Sequence, residues 1–293
     1  KGSGTRLKVQ AIVALKSDHR LSYLLSVAGM ARSTFFYHQK RLTSPDKHAA
    51  LKTAIRHSFK SNKHRYGYRR VWRDLRNKGW VVNHKLVYKL MDQMGLKAKI
   101  RRRRSYVSYA GTVSRIAPNI LDRNFTRDKP NTAWVSDITE FNITGRKVYL
   151  CPVMDLFDRT IISHTVSTSA ATTLAVSSLK ESITAQAPEP GWIIHTDQGF
   201  QFQHIAWRTL VEKHEGKVSM SRKGNCYDNA VIENFFSHLK TEMYHGETFN
   251  NIKEFTNAID EYINWYNNQR LQERLNGQTP MQYRNQTLQA LTA

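Results

Sequence analysis

Residues 148–157 are almost all apolar. A stretch that short cannot cross a bilayer as a helix, and it lacks the polar alternation of a strand with one wet face. It reads as a strand buried on both faces, which requires a sheet covered on both sides. The neighbouring pattern agrees. Trp134-Val135-Ser136-Asp137-Ile138-Thr139 reads as a strand ahead of it, and residues 161–166 as one behind it. Residues 170–187 follow as a helix ended by Pro188, then Trp192-Ile193-Ile194-His195 as a short buried strand, residues 203–215 as a helix and Val218-Ser219-Met220 as a fifth strand. Residues 228–244 and 252–267 read as long helices. This order predicts an α/β domain over residues 131–293, a mixed sheet with flanking helices.

The front of the chain is different in kind. Residues 1–130 hold 31 Lys or Arg against 6 Asp or Glu, a balance of +25, whereas residues 131–293 hold 14 against 17, a balance of −3, for the net +22. A merely solubilising charge would not gather in one half or mix with aromatic rings. The expected partner is a polyanion, whose phosphates attract such a surface and release counterions on binding. Residues 1–44 read as an N-terminal helical segment. In it, helix 21–29 with its Gly29 stop, a three-residue turn and a second helix capped by Ser33 make a helix-turn-helix pattern with a basic end. The first five residues lack a Met and an apolar signal core, and read as a truncated start or an artificial junction.

Residues 45–104 read as a helical DNA-binding domain. His64-Arg65-Tyr66-Gly67-Tyr68-Arg69-Arg70-Val71 mixes guanidinium groups with rings, which suits phosphate contact beside stacking. Asn83 is placed to cap a helix carrying Leu86, Leu90 and Met94 on one face and Lys85 and Lys89 on another. Arg65, Tyr66, Arg69, Arg70, Lys85 and Lys89 are therefore candidate DNA contacts; the alternative is a solvated face of a helical bundle. The run Arg101-Arg102-Arg103-Arg104 would lie along a duplex, and residues 105–130, without periodicity, read as a linker.

Several classes fall away. No run of 18 apolar residues exists to span a membrane. Cys151 and Cys226 are too few for a disulfide framework and form no CxxC zinc pair, so a reducing cytoplasm suits them. The 12 histidines are scattered and read as surface or phosphate-facing groups.

Three carboxylates stand out. Asp137 lies within a strand otherwise suited to burial, where a lone acid is costly unless it meets a cation. Asp197 follows a buried strand by two residues, where α/β sheets present reactive groups. Glu233 lies among the apolar Val231, Ile232, Phe235 and Phe236 of a predicted helix. Together they could bind hard divalent cations and serve phosphodiester chemistry; taken singly, each could be a cap or a surface charge.

Asp197 and Glu233 have 35 residues between them. This resembles the D-D-35-E signature of DDE transposases and retroviral integrases, whose core is ribonuclease-H-like. The words Trp134-Val135-Ser136-Asp137-Ile138-Thr139, His195-Thr196-Asp197-Gln198-Gly199, Ser221-Arg222-Lys223-Gly224-Asn225-Cys226-Tyr227-Asp228-Asn229-Ala230 and Glu233-Asn234-Phe235-Phe236 resemble the insertion-sequence-three family, as do Tyr266-Asn267-Asn268-Gln269-Arg270 and Thr279-Pro280. The likeness spans roughly residues 20–285. It implies a bacterial, nucleoid-associated transposase that uses two Mg²⁺ ions, replaceable by Mn²⁺, held by Asp137, Asp197 and Glu233. Such an enzyme cuts the 3′ ends of an insertion sequence at its terminal inverted repeats and joins them to DNA, as a homo-oligomer of at least two protomers. Lys240, seven residues beyond Glu233 and about 10.5 Å along the same helix face, matches a DNA-contacting lysine of integrases. Arg222 and Lys223 are placed to hold the scissile strand, with Asp228 and Asn229 as caps and loop braces. Family members usually carry a further helix-turn-helix and a zipper segment upstream, so the resemblance implies that this sequence corresponds to the downstream part. Two rival readings are a DNA-binding regulator, which has no need of the three acids, and a ribonuclease of RNA–DNA hybrids, which has no need of the basic front half.

Overall fold

The computed structural model describes residues 2–99, 116–222 and 225–292. Packing divides the chain into two units, Lys1–Arg56 and His57–Ala293. In the first, α1 (Gly2–Leu15), α2 (Leu21–Ala28) and α3 (Arg32–Thr43) enclose Val9, Ile12, Leu24, Leu25 and Phe35. Gly29 closes α2 in the left-handed region at φ 61°, where a side chain would be strained, and its N–H returns to the last turn. The second helix of this helix-turn-helix pair starts earlier than expected: Ala31 occupies the cap position, without a side-chain bond, and Ser33 lies inside the first turn. Burial of Phe35 sets the start of α3 more strongly than one hydroxyl does.

Next come α4 (Ala49–Ser61), α5 (Tyr68–Asn77) and α6 (His84–Gln93). Asn83 caps α6 as expected, its Oδ1 accepting from the Lys85 N–H at 2.8 Å. The buried stripe of α6 is Val87, Leu90 and Met91, so Leu86 and Met94 flank the seam rather than fill it.

The sheet is built from β1 (Ala133–Ser136), β2 (Thr139–Ile143), β3 (Arg146–Asp155), β4 (Ile161–Ser167), β5 (Ile193–Thr196) and β6 (Lys217–Met220). Leu150 of β3 pairs with both Thr139 and Val166, so β2 and β4 lie on its opposite edges. β1 continues along the β2 edge, antiparallel to β3, and β5 and β6 follow in parallel. The order β4–β3–β1–β5–β6, antiparallel on one side of β1 and parallel on the other, is ribonuclease-H-like. Residues 150–155 of β3 are all buried, as a strand covered on both faces demands.

Helices supply that cover. α7 (Thr172–Gln186), the single turn α8 (Phe200–Gln203) and α9 (Ile205–Lys213) pack Leu174, Leu179, Phe202, Trp207 and Val211 on Trp134, Cys151, Val153, Trp192 and Ile194. α10 (Ala230–Leu239) packs against β1 and α11 (Ile252–Asn268) against β4. α10 runs on as a π-helical turn over Lys240–Tyr244, and the Phe141 and Phe255 rings meet at 4.9 Å.

Three features differ from the expectation. The strand over residues 134–139 is split, β1 ending at Ser136 and β2 beginning at Thr139, with Asp137 at the break. A last helix, α12 (Pro280–Thr292), follows α11 and is tied to the sheet by buried Arg284, which donates to Asp155 and Asp158 at 2.5 Å each. The described end of the expected linker is bound: Leu121 is 1% exposed, and the Ile120 and Leu121 N–H groups donate to Ser219 Oγ of β6.

Candidate active site

β1 and β5 run parallel with Ala133 opposite Ile193, Trp134 opposite Ile194 and Val135 opposite His195. Asp137 and Asp197 each stand one residue beyond their strand end. They therefore leave the same end of two neighbouring strands, whose backbones are about 4.8 Å apart where paired. Asp137 Oδ1 accepts the Ile138 N–H at 2.7 Å, and Asp197 Oδ1 the Gly199 N–H at 2.9 Å. A Cβ on Gly199 would come within 2.9 Å of that same Asp197 oxygen, so a side chain there would displace the carboxylate.

Both carboxyls are pushed upward. For Asp137 burial is the main cause, followed by the charges of Asp197 and Glu233, with Lys240 pulling the other way, and the result lies well above the usual range. For Asp197 burial raises it and the Gly199 N–H partly offsets this. Glu233, half-buried in the first turn of α10, is carried into this field by a helix anchored through Ile232, Phe235 and Phe236. The Lys240 ammonium lies 5.1 Å from the Phe141 ring centroid and contributes positive potential at Asp137.

Among the described residues, no three His, Cys, Asp or Glu side chains are drawn together closely enough to enclose a metal ion. The acids share one electrostatic neighbourhood without forming a closed cage. The donor set fits a hard divalent cation: all ligands are carboxylate oxygens, two of them on strand ends, and their mutual repulsion is what a cation would relieve.

Ahead of Glu233 the chain is braced by Asp228, in the 3₁₀ turn Cys226–Asn229. Its buried carboxylate accepts from Arg123 Nε at 2.7 Å and from Arg222 Nε and a terminal guanidinium nitrogen at 2.8 Å each. Asp228 is thus the brace that was expected. Asn229 makes no side-chain cap bond, and Asn225 caps the 3₁₀ turn instead.

The candidate DNA contacts separate into groups. Arg69, Lys85, Lys89 and Arg222 are exposed, Arg222 being also tied to Asp228. Lys240 is half-buried beside the acids. Arg101, Arg102, Arg103, Arg104 and Lys223 lie outside the described residues.

Tyr66 needs correction, and Arg65 and Arg70, half-buried, are partly committed to the fold. Tyr66 is 1% exposed, and its hydroxyl donates to the Gln269 carbonyl at 2.5 Å and accepts from the Leu271 N–H at 3.0 Å. Arg65 stacks on Trp265 at 4.7 Å and Tyr262 at 5.2 Å, and Arg70 bonds the Leu271 carbonyl at 3.2 Å and Glu242 at 3.4 Å. These three groups hold the helical segment against the C-terminal helices and are already engaged there. Sequence reading also missed Glu242, buried and paired with Arg270 at 2.8 Å, and the exposed Tyr88, whose ring meets Tyr68 at 5.1 Å beside Lys85 and Lys89. Interleaved Tyr and Lys in residues 84–89 was the signal for the latter; nothing local marked Glu242.

A ribonuclease-H-like sheet behind a helix-turn-helix region defines a class, the integrase-core polynucleotidyl transferases of the DDE type. The Integrase core domain family matches residues 127–226, a second family of that description residues 233–288, and the HTH-like domain family residues 46–104. The chain is 44% identical over 273 residues, 93% of its length and 96% of the relative's, to the transposase InsK for insertion sequence element IS150 of Escherichia coli strain K12. It is 34% identical over 232 residues, 79% and 81% of the two chains, to the transposase InsF for insertion sequence IS3A of the same strain. The chain belongs to the IS3 family of insertion-sequence transposases. The HTLV-2 integrase catalytic core domain, solved with magnesium, superposes with a TM-score of 0.40 at 18% identity, over 54% of this chain and 98% of that one; likeness of that grade carries no argument about function.

Proposed function

We propose that the chain is a metal-dependent transposase that binds the terminal inverted repeats of an insertion sequence, cleaves their 3′ ends and transfers the freed strands to DNA. The observation that carries this reading is the pair Asp137 and Asp197, each one residue beyond the end of adjacent parallel strands, with carboxyls raised by burial and with the charge of Glu233 felt at Asp137. When bound, Mg²⁺ (two ions, replaceable by Mn²⁺) supplies Lewis acidity at the attacking and leaving oxygens of a phosphodiester. Asp137 and Asp197 hold it from rigid strand ends, and Glu233 closes the site from the helix side. Lys240 steadies a phosphate beside the acids, and Arg222 and Lys223 hold the scissile strand. Arg69, Lys85, Lys89 and Arg101 to Arg104 grip the flanking duplex through phosphates. Joining two ends requires both to be held at once, so the active form contains at least two protomers. It works in the cytoplasm beside the nucleoid.

The test is 3′-end cleavage and joining of transposon-end oligonucleotides with Mg²⁺ by the full chain and by Glu233→Gln. Metal-dependent joining that the substitution removes supports the proposal. Tight DNA binding without cleavage would make the chain a regulator, and cleavage confined to RNA–DNA hybrids would make it a ribonuclease. Mixing Glu233→Ala with Arg69→Ala/Lys85→Ala/Lys89→Ala tests assembly: recovered cleavage means that one protomer grips the end its partner cuts.

A further inference from the structure

Asp228 is five residues ahead of Glu233, and its side chain is fully buried. A buried carboxylate needs compensation, and here five donors from two stretches of chain supply it. Oδ1 accepts from Arg123 Nε at 2.7 Å and a terminal nitrogen of Arg222 at 2.8 Å. Oδ2 accepts from the Arg222 N–H at 3.0 Å, Arg222 Nε at 2.8 Å and Asn119 Nδ2 at 3.2 Å. Arg222, together with Arg123 and its backbone N–H, holds this carboxyl far below the usual carboxylate range, so the clamp stays charged wherever the protein is folded.

The clamp joins parts that lie on both sides of the acids. Asn119 and Arg123 belong to the segment that crosses β6 on its way into the sheet. That segment also donates the Ile120 and Leu121 N–H groups to Ser219 Oγ, which lies 2.8 Å from His195 Nδ1, two residues before Asp197. The Ser221 N–H, next to Arg222, donates to the Thr196 carbonyl at 2.9 Å. One face of the segment is thus tied to the strand of Asp197, and the other, through Asp228, to the turn that launches the helix of Glu233. The 3₁₀ turn Cys226–Asn229 leads directly into α10, whose own first residue has no side-chain cap.

We propose that Asp228 is a positioning residue for strand transfer: by gathering Asn119, Arg123 and Arg222 it sets the start of α10, and hence how near Glu233 can come to Asp137 and Asp197 when a metal is bound. The inference rests on the three-acid reading of the site and adds to it a residue that touches neither metal nor substrate. Removing the charge of Asp228 loosens the Arg123 and Arg222 bonds, lets the turn shift and moves Glu233 away from the other two acids. The expected defect is a weaker metal site rather than weaker DNA binding.

The test is Mn²⁺ affinity of the full chain without DNA, followed by electron paramagnetic resonance, in wild type, Asp228→Asn, Glu233→Gln and the double variant. Asp228→Asn should weaken Mn²⁺ binding about tenfold, or about 1.4 kcal/mol, and should weaken it no further in the Glu233→Gln background. The metal concentration for half-maximal end cleavage should rise by the same factor while DNA affinity holds. Equal weakening in both backgrounds, or none in the wild-type background, overturns the proposal. If Glu233→Gln itself leaves Mn²⁺ binding and cleavage unmoved, the three-acid reading fails instead. Should Asp228→Asn unfold, Asn119→Ala and Arg123→Met each remove one donor from the clamp and must show the same dependence on Glu233; a fall in thermal stability with unchanged metal affinity in both would mean that the clamp only holds the fold.

Discussion

Two sets of sequestered carboxylates lie in the same unit and are treated in opposite ways. Asp155 and Asp158 share the Arg284 guanidinium at 2.5 Å, Glu242 is held by Arg270 at 2.8 Å and by Arg70 at 3.4 Å, and Asp228 by Arg123 and Arg222. Asp137 and Asp197 make no ion pair among the described residues and each takes a single backbone N–H. The consequence is visible in their protons. Burial pushes Glu242 up, but Arg270 and Arg70 outweigh it and bring it below its ordinary value. Asp137, with burial and two neighbouring acids against the Ile138 N–H and one lysine, goes the other way. Acids that hold the fold have an organic cation built in. Acids beyond the strand ends have none, and under the proposed function a cation from outside would relieve their repulsion.

The largest effect tests the uncompensated set. Asp137→Ala, Asp197→Ala or Glu233→Ala should each slow cleavage and joining by about a thousandfold or more, roughly 4 kcal/mol of barrier, with DNA affinity near wild type in a filter-binding assay. Mg²⁺ should raise the melting temperature of the wild type more than that of any of the three. A variant that joins ends at the wild-type rate removes its residue from the site.

The compensated set should answer in stability. Arg284→Ala leaves Asp155 and Asp158 buried without their cation and should cost about 3–5 kcal/mol in urea unfolding, with joining retained at low temperature. A cost under about 1 kcal/mol, the ordinary worth of an exposed pair, would mean that α12 is not anchored by this triad.

Asp155 departs from the other paired acids, because burial outweighs Arg284 and leaves its carboxyl at about 6 in the folded protein. A folded value raised above the unfolded one favours folding fully below about pH 4, and that contribution is lost as pH rises through about 6. Relative to Asp155→Asn, the wild type should therefore lose up to about 3 kcal/mol between pH 4 and 7, read as a shrinking difference in unfolding free energy. A difference that is flat over that window would mean that Arg284 compensates Asp155 completely.

The smallest effect concerns the exposed cations. Lys85→Ala/Lys89→Ala should reduce the slope of log affinity against log salt by about 0.9 for each phosphate no longer neutralised, and neutralising Arg101 to Arg104 should reduce it further. Tyr66→Phe, by contrast, should leave the slope unchanged and weaken folding.

Much of this protein was readable without coordinates. The apolar run at residues 148–157 required a covered sheet, the 35-residue interval and its flanking words marked Asp197 and Glu233, and Asn83 announced the start of α6. These are local signals, carried by period, spacing and capping chemistry, and a chain expresses them wherever it folds. Tertiary structure alone decided which basic residues face outward. Tyr66 lies in the same basic, ring-rich stretch as Arg69, yet its hydroxyl meets the carbonyl of a residue 203 positions away. The partners of Arg284 lie 126 and 129 positions before it. A side chain buries its charge or ring only where a complementary group waits, and contacts so remote in the chain leave no periodic trace in it. The same reason governs Asp228: its place beside the acids was legible, but the clamp of Asn119, Arg123 and Arg222 exists only once the chain has returned across β6.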